Sequence, residues 1–233
     1  MKKNKFKPGI KISIFFLIFA SLFFFLGIWQ IERGKEKNDL LNLFENSQKK
    51  PAKIFTEASI KWDRVFVYGQ FDNTRSIYID NVVNKGIAGY KVLTPLEIDN
   101  ADKLLLVDRG WVERGISRDI LPEIKPYTKK IKITGVLESP ELGLLLSEEV
   151  VSENWPKISQ SKNIDILKKE YDQDIYPFVL LADPIMDNAL EYIGISPTNM
   201  MPAKHYGYAA QWFTMFVVLC LMFAWIGFKK NEK

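Results

Sequence analysis

The only histidine of the chain, His205, stands a few residues before a long apolar run near the C-terminus. A neutral imidazole can transfer protons or donate a lone pair to a metal ion. Residues at positions i, i+3, i+4 and i+7 share one face of a helix, so His205 is expected beside Tyr208, Ala209 and Trp212. Such a face could hold a flat apolar macrocycle whose metal takes the imidazole as axial ligand, as in a tetrapyrrole site.

Two other interpretations of His205 stay open at this point. Tyrosine and tryptophan are enriched at membrane–water interfaces whatever a protein does, so the histidine could be a solvated interfacial residue. Thioether and imidazole groups can also hold copper, and Met200 and Met201 precede His205. Copper has the least support, because no longer methionine array is present and the only cysteine, Cys220, lies inside the second apolar run.

Two apolar runs could position the His205 face. The first, at residues 12–31, is uncharged, and at about 1.5 Å per residue it spans a hydrocarbon core of about 30 Å. The second is extended by uncharged residues to 205–228. A cleaved signal peptide would have a shorter apolar region and a small-residue cleavage site. The sequence therefore predicts two transmembrane helices, and a lipid bilayer as their environment.

Lysines at both ends predict the orientation. Residues 1–11 carry five lysines and the tail at 229–233 carries three, whereas the rest of the chain is net negative. Positively charged segments flanking membrane helices stay in the cytoplasm, so both tails are expected there and residues 32–204 on the opposite side. Because the net positive charge comes from these two tails, a nucleic-acid partner is not expected.

If the two helices pair as an antiparallel hairpin, the outer end of the first meets the start of the second. That end carries Trp29, Gln30 and Arg33. A macrocycle at this depth could keep its ring in the apolar layer, and its carboxylates could pair with Arg33 or Lys204.

The region between the helices predicts a β-rich domain behind a helical stalk. Short β-branched and aromatic segments are separated by turn residues, which favours an antiparallel meander or a small barrel. In "RSIYID", Ile77 and Ile79 alternate with Tyr78 and Asp80, as in a half-buried strand. A single helix is expected at "NIDILKKEYD". The fold class is thus a two-helix transmembrane hairpin carrying an α+β, largely antiparallel outer domain.

The outer domain offers little catalytic chemistry. It has no cysteine, no histidine before His205 and no glycine-rich phosphate loop, so we expect a protein that is not an enzyme. In "LLLVDRGWV", Arg109 could bind a carboxylate of a partner protein and Trp111 could stack or anchor. The alternative is an Asp108–Arg109 pair that ends a strand beside a core tryptophan.

Three motifs together resemble the Surfeit locus protein 1 family. "GIWQIER" is similar to its G-x-W-Q-x-x-R signature, "LLLVDRGWV" to its R-G-W-V element, and "HYGYAAQWF" to its H-x-x-Y-A-x-x-W-F element. The three occur in the family's order. The matching positions are Gly27, Trp29, Gln30, Arg33, Arg109, Gly110, Trp111, His205, Tyr208 and Trp212.

This resemblance implies a function. Members are membrane proteins that assist assembly of haem–copper cytochrome oxidase, and bacterial members are thought to bind haem a and aid its insertion into subunit I. It implies haem a as cofactor, with His205 as the iron ligand, and subunit I and haem a synthase as partners. A scaffold for nascent oxidase subunits that holds no cofactor is the alternative. No Arg- and Ser-rich transit peptide is evident, so a bacterial inner membrane with a periplasmic domain is expected. By this resemblance, haem a would contact His205, Tyr208, Trp212, Trp29, Gln30 and Arg33.

Overall fold

The computed structural model describes residues 6, 8–99, 101–115, 120–139, 151–184 and 190–229. The chain divides into two compact units, one formed by Met1–Phe44 with Ser196–Lys233 and the other by Glu45–Ile195. The described helices are α1 (Ile10–Gln48), α2 (Ile164–Leu167) and α3 (Pro202–Lys229), with a short 3₁₀ turn at Lys168–Glu170. Of these, α1 and α3 are long and apolar enough to cross a membrane.

The first unit is an antiparallel pair of helices. The ring of Phe16 stacks on Phe223 with centroids 4.1 Å apart, and Phe23 contacts Trp212 at 5.8 Å. Residues nearer the end of α1 therefore contact residues nearer the start of α3, as expected for antiparallel helices. The facing positions of α1 alternate in steps of four and three residues, which is the spacing of left-handed helix packing. These positions are Phe16, Ala20, Phe23, Gly27, Gln30 and Gly34.

Small residues let the two helices approach closely. Ala20, Gly27 and Gly34 are the buried residues of α1. A Cβ at Gly27 would lie 2.7 Å from the Cζ of Phe213, closer than carbon atoms normally pack. The ring of Phe213 thus occupies the space that a larger residue at position 27 would need.

The second unit is a β domain. Its strands are β1 (Lys53–Ile54), β2 (Arg64–Phe71), β3 (Ile77–Asn84), β4 (Ile87–Ile98), β5 (Leu104–Glu113), β6 (Ile131–Glu138), β7 (Lys157–Ser159) and β8 (Ile175–Ala182). The last turn of α1 belongs to this unit, where Ser47 and Gln48 donate hydrogen bonds to the carbonyl of Trp62.

Five strands of this domain close into a small barrel. The order is β2–β6–β8–β5–β4, and β4 returns to β2 through the pairing of Gly69–Phe71 with Leu96–Ile98. The β5–β8 pair is parallel and the other four are antiparallel. β3 and β7 extend the sheet from β4, and β1 adds to β2. The predicted fold class, two long apolar helices with a β-rich domain, is confirmed, and of the two expected architectures the domain adopts the barrel.

Alternate residues of the strands face two separate cores. On β5, Leu105 and Val107 point into the barrel, whereas Leu104 and Leu106 pack outside it against Leu167 of α2. Because apolar residues of β5 are buried on both faces, its sequence is a continuous apolar run rather than an alternating one.

The expectation that "RSIYID" forms a half-buried strand was wrong. Ile77, Tyr78, Ile79 and Asp80 are all buried. The residues expected to face solvent are covered because Tyr78 packs in a third cluster with Tyr90. A local pattern of alternation cannot reveal that a second layer covers the other face.

Candidate functional site: the His205 flank

His205 is buried at the start of α3 and contacts α1 directly. The residue is 8% exposed, and its Nδ1 lies 2.8 Å from the Oε1 of Gln30. An amide oxygen can only accept a hydrogen bond, so in this arrangement Nδ1 carries the proton of the neutral imidazole. The other ring nitrogen, Nε2, then holds a lone pair. It is buried and has no hydrogen-bond partner in the described part of the chain.

The His205–Gln30 contact and the Phe23–Trp212 contact lie on the same flank of the helix pair. On an ideal helix seven residues advance by about 700°, which is about 20° short of two full turns, so Trp212 lies about 20° round from His205. The two contacts together fix which side of the pair the imidazole occupies.

Tyr208 and Arg33 border this side. Tyr208 is rotated about 60° from His205 around the axis of α3, and Arg33 is rotated about 60° from Gln30 around the axis of α1. Because the helices are antiparallel, both rotations are toward the same side of the pair. The side chain of Arg33 is 42% exposed and Tyr208 is 43% exposed. We define the His205 flank as Phe23, Gln30, Arg33, His205, Tyr208 and Trp212.

Trp29 lies at the outer edge of this group. It is half exposed and about 100° round from Gln30, which places it about 40° beyond Arg33 on the same side of α1. The structure thus brings together five of the six predicted contact residues, and it places Trp29 further round the same helix.

The chemistry of the flank suits an axial ligand for a tetrapyrrole. Metal-bound histidines usually donate their second N–H to an oxygen that fixes the ring, and Gln30 occupies that place. Arg33 pairs with Glu36 at 2.6 Å, but both side chains are exposed, so this ion pair is weak and the guanidinium could instead pair with a propionate. Lys204 is exposed beside the histidine. Since Nε2 is buried, a ligand could reach it only after the atoms that cover it move.

The residues predicted to bind a partner are mostly buried. Arg109 is 6% exposed, with its Nη2 2.8 Å from the carbonyl of Lys125 and its guanidinium over the rings of Phe71 and Tyr127. Burial lowers the pKa of Arg109. No carboxylate among the described residues lies within ion-pair distance of it. Trp111 is equally buried and donates to the carbonyl of Val82 at 2.9 Å. A partner role for Arg109 and Trp111 stays a prediction, and in this structure both side chains pack inside the domain.

Asp108 pairs with Lys91 on the neighbouring strand and not with Arg109. The Nζ of Lys91 lies 2.7 Å from the Oδ2 of Asp108, and their side chains are only 14% and 3% exposed. Successive residues of a strand point to opposite faces, so Asp108 and Arg109 could not meet. Burial raises the pKa of Asp108 although Lys91 and the Gly110 N–H act against it. Burial also works to lower the pKa of Lys91, but the Asp108 carboxylate raises it overall.

Sequence reasoning missed the residues that close the helix pair around the site. Phe213 packs against Gly27, and Tyr206 packs against Gly34 in the same way. The signal was available in the spacing of Gly27 and Gly34, which are one heptad apart with Gln30 between them. Lys91 was also missed, although a lysine inside an apolar strand segment is uncommon and calls for a buried partner.

Known proteins resemble this chain over most of its length. A model of the SURF1 family matches residues 17–217. A SURF1-like protein of Rickettsia felis is 24% identical over 220 residues, which cover 92% of this chain and 96% of that protein. The cytochrome oxidase assembly protein SHY1 of Saccharomyces cerevisiae is 25% identical over 151 residues, covering 60% of this chain and 39% of SHY1. Surfeit locus protein 1 of Takifugu rubripes is 24% identical over 145 residues, covering 53% and 58%.

Proposed function

Because this chain belongs to the SURF1 family, we propose that it serves the assembly of cytochrome oxidase, the role that the name of the yeast relative SHY1 states for that protein. In this proposal the chain carries haem a on the His205 flank and aids its insertion into subunit I, with haem a synthase as the donor. The role is that of a carrier rather than an enzyme.

One observation carries the haem proposal. The buried imidazole of His205 keeps its Nε2 lone pair without a partner in the described chain, while Gln30 holds the other nitrogen. The iron of the haem would accept that lone pair. The rings of Tyr208 and Trp212 would contact the macrocycle, and Arg33 would pair with a propionate at the polar edge. A buried imidazole ligand beside half-exposed side chains suits a haem that must be held and then released.

A scaffold role without a cofactor is the second candidate, and a different feature favours it. The tip of the β3–β4 hairpin exposes two apolar side chains, Val83 at 64% and Ile87 at 46%. Exposed apolar side chains at a hairpin tip could contact nascent oxidase subunits. The two functions differ in whether the purified protein carries a chromophore.

The haem proposal predicts a coloured protein whose colour depends on His205. Protein purified from cells that make haem a should show a Soret band. His205→Ala should lower the bound haem and shift the spectrum of what remains. Trp212→Ala should lower occupancy without changing ligation, because a stacked ring contributes only about 0.5–1.5 kcal/mol beyond its burial. Absorption spectra at equal protein concentration measure both effects.

Gly207→Ala is the matched control, because a Cβ at this position of α3 has nothing within 4 Å. It should leave the spectrum unchanged. All variants are first compared by gel filtration and circular dichroism to confirm that they fold. If His205→Ala keeps full occupancy and the wild-type spectrum, the imidazole is not the ligand. A colourless protein that co-purifies with subunit I would establish the scaffold role.

We also infer a bacterial inner membrane location, with both termini in the cytoplasm and the β domain in the periplasm. The lysine-rich ends and the Rickettsia relative support it. Reporter fusions at both termini should give a cytoplasmic signal, and a reporter inserted at the Lys85–Gly86 turn should give a periplasmic one. A cytoplasmic signal from the turn would place His205 at the wrong side of the membrane for this proposal.

A further inference from the structure

We propose that Gln30 is a positioning residue that sets the tautomer and ring orientation of His205. Its Oε1 accepts the Nδ1 proton at 2.8 Å and so leaves Nε2 as the only lone pair of the ring. The tautomer part concerns the protein alone, whereas its consequence for haem rests on the proposed function.

The backbone of α1 is built to deliver this contact. Gln30 lies between Gly27, one turn before it, and Gly34, about one turn after it, and both glycines are buried. A Cβ on either glycine would lie 2.7 Å from an aromatic carbon of α3, at Phe213 and Tyr206 respectively. The two close approaches hold the helices near enough for the Gln30 amide to reach the imidazole.

A neutral amide has a distinct effect on the ring. A carboxylate at this position would accept the Nδ1 proton more strongly and increase the basicity of Nε2, and it would also place an ion in a poorly hydrated helix pair. An apolar side chain would leave Nδ1–H without an acceptor. Glutamine orients the ring and leaves Nε2 a moderate ligand, which fits a carrier that must release its cargo.

The tautomer can be measured without haem, because the chain has a single histidine. Protein labelled with ¹⁵N-histidine gives two ring nitrogen signals, whose chemical shifts report which nitrogen is protonated. Wild-type protein should show Nδ1 protonated. In Gln30→Leu, loss of a hydrogen bond worth about 0.5–1.5 kcal/mol should lower the ratio of Nδ1–H to Nε2–H tautomer about 2- to 12-fold. Gln30→Glu should retain Nδ1–H.

The matched control is Gln211→Leu, the same chemical change at an exposed position of α3. It should leave both signals unchanged. A wild-type protein with Nε2 protonated would overturn the inference, and so would a Gln30→Leu variant with the wild-type ratio. Either result leaves the haem proposal to its own test, since these samples contain no haem.

Haem-loaded protein gives the second readout. Gln30→Glu should lower the reduction potential of the bound haem, because a more basic Nε2 stabilises the oxidised iron. Gln30→Leu should broaden the Soret band as the ring loses its fixed orientation. Identical potentials and band shapes in wild type, Gln30→Glu and Gln30→Leu would contradict the positioning role. Absence of haem from the wild type would instead contradict the proposed function and leave the NMR result standing.

Discussion

Lys91→Met should lower the free energy of unfolding of the β domain by about 3–5 kcal/mol at neutral pH, as expected when one partner of a buried ion pair is removed. The substitution leaves Asp108 charged, 3% exposed and without its cation. Its remaining hydrogen bond comes from the Gly110 N–H at 2.9 Å, which cannot offset the charge. Denaturant unfolding followed by tryptophan fluorescence measures the loss.

The loss of unfolding free energy caused by Lys91→Met should be smaller at acid pH. Burial already raises the pKa of Asp108 above its ordinary 3.8, and removal of Lys91 should raise it further. A carboxyl with a raised folded-state pKa contributes stability below its unfolded pKa, and this stability disappears as pH rises through the folded value. The variant should therefore approach the wild type as Asp108 becomes protonated.

A second substitution separates the charge from the packing at this site. Lys91→Met/Asp108→Asn keeps an acceptor for Gly110 and removes the ion, so it should recover most of the lost stability. If the single and double variants are equally unstable, or if the loss does not depend on pH, the unpaired Asp108 is not the cause.

Gly135→Ala should destabilise the barrel by about 3 kcal/mol, at the upper end of the usual cost of overpacking. Gly135 of β6 pairs with Ala182 of β8. A Cβ at this position would lie 2.1 Å from the carbonyl oxygen of Leu181, and a backbone atom within a barrel cannot move aside. Thermal unfolding of the two proteins gives the difference.

Gly115→Ala provides the same chemical change without the contact, because nothing lies within 4 Å of its Cβ position. It should change stability by less than about 1 kcal/mol, and a small gain is expected from the restricted unfolded chain. Equal melting temperatures for Gly135→Ala and the wild type would mean that the β6–β8 pairing is looser than the structure indicates.

Local pattern was enough to predict most strands of the fold. The short β-branched and aromatic segments between the helices fall on β2, β3, β4, β5, β6 and β8, and the segment "RVFVYGQF" coincides with β2. β1 and β7, with two and three residues, are too short to produce a pattern. Closure of the barrel depends on the pairing of β2 with β4, which is a property of strand length and twist that no single segment encodes.

Sequence analysis did not predict the Lys91–Asp108 pair, because strand register decides which residues become neighbours. Lys91 pairs with Asp108 across β4 and β5, where an irregularity between Lys91 and Leu93 shifts the register. Such a shift cannot be deduced from residue types. For His205 and Gln30 the sequence predicted more, since helix periodicity and antiparallel topology already place the two residues at the same depth in the membrane. The hydrogen bond itself needed the close helix approach that Gly27 allows.

The position of β8 in the sequence affects how the domain folds while the chain is being synthesised. It supplies both the parallel partner of β5 and an antiparallel partner of β6, yet it comes last among the strands. About 44 residues separate the end of β6 from the end of β8, and at typical rates of synthesis these take roughly 2–9 s to appear. During that interval β5 and β6 have unpaired edges that another chain could join. Resistance of the nascent domain to proteolysis and aggregation is therefore acquired only when its final strand emerges.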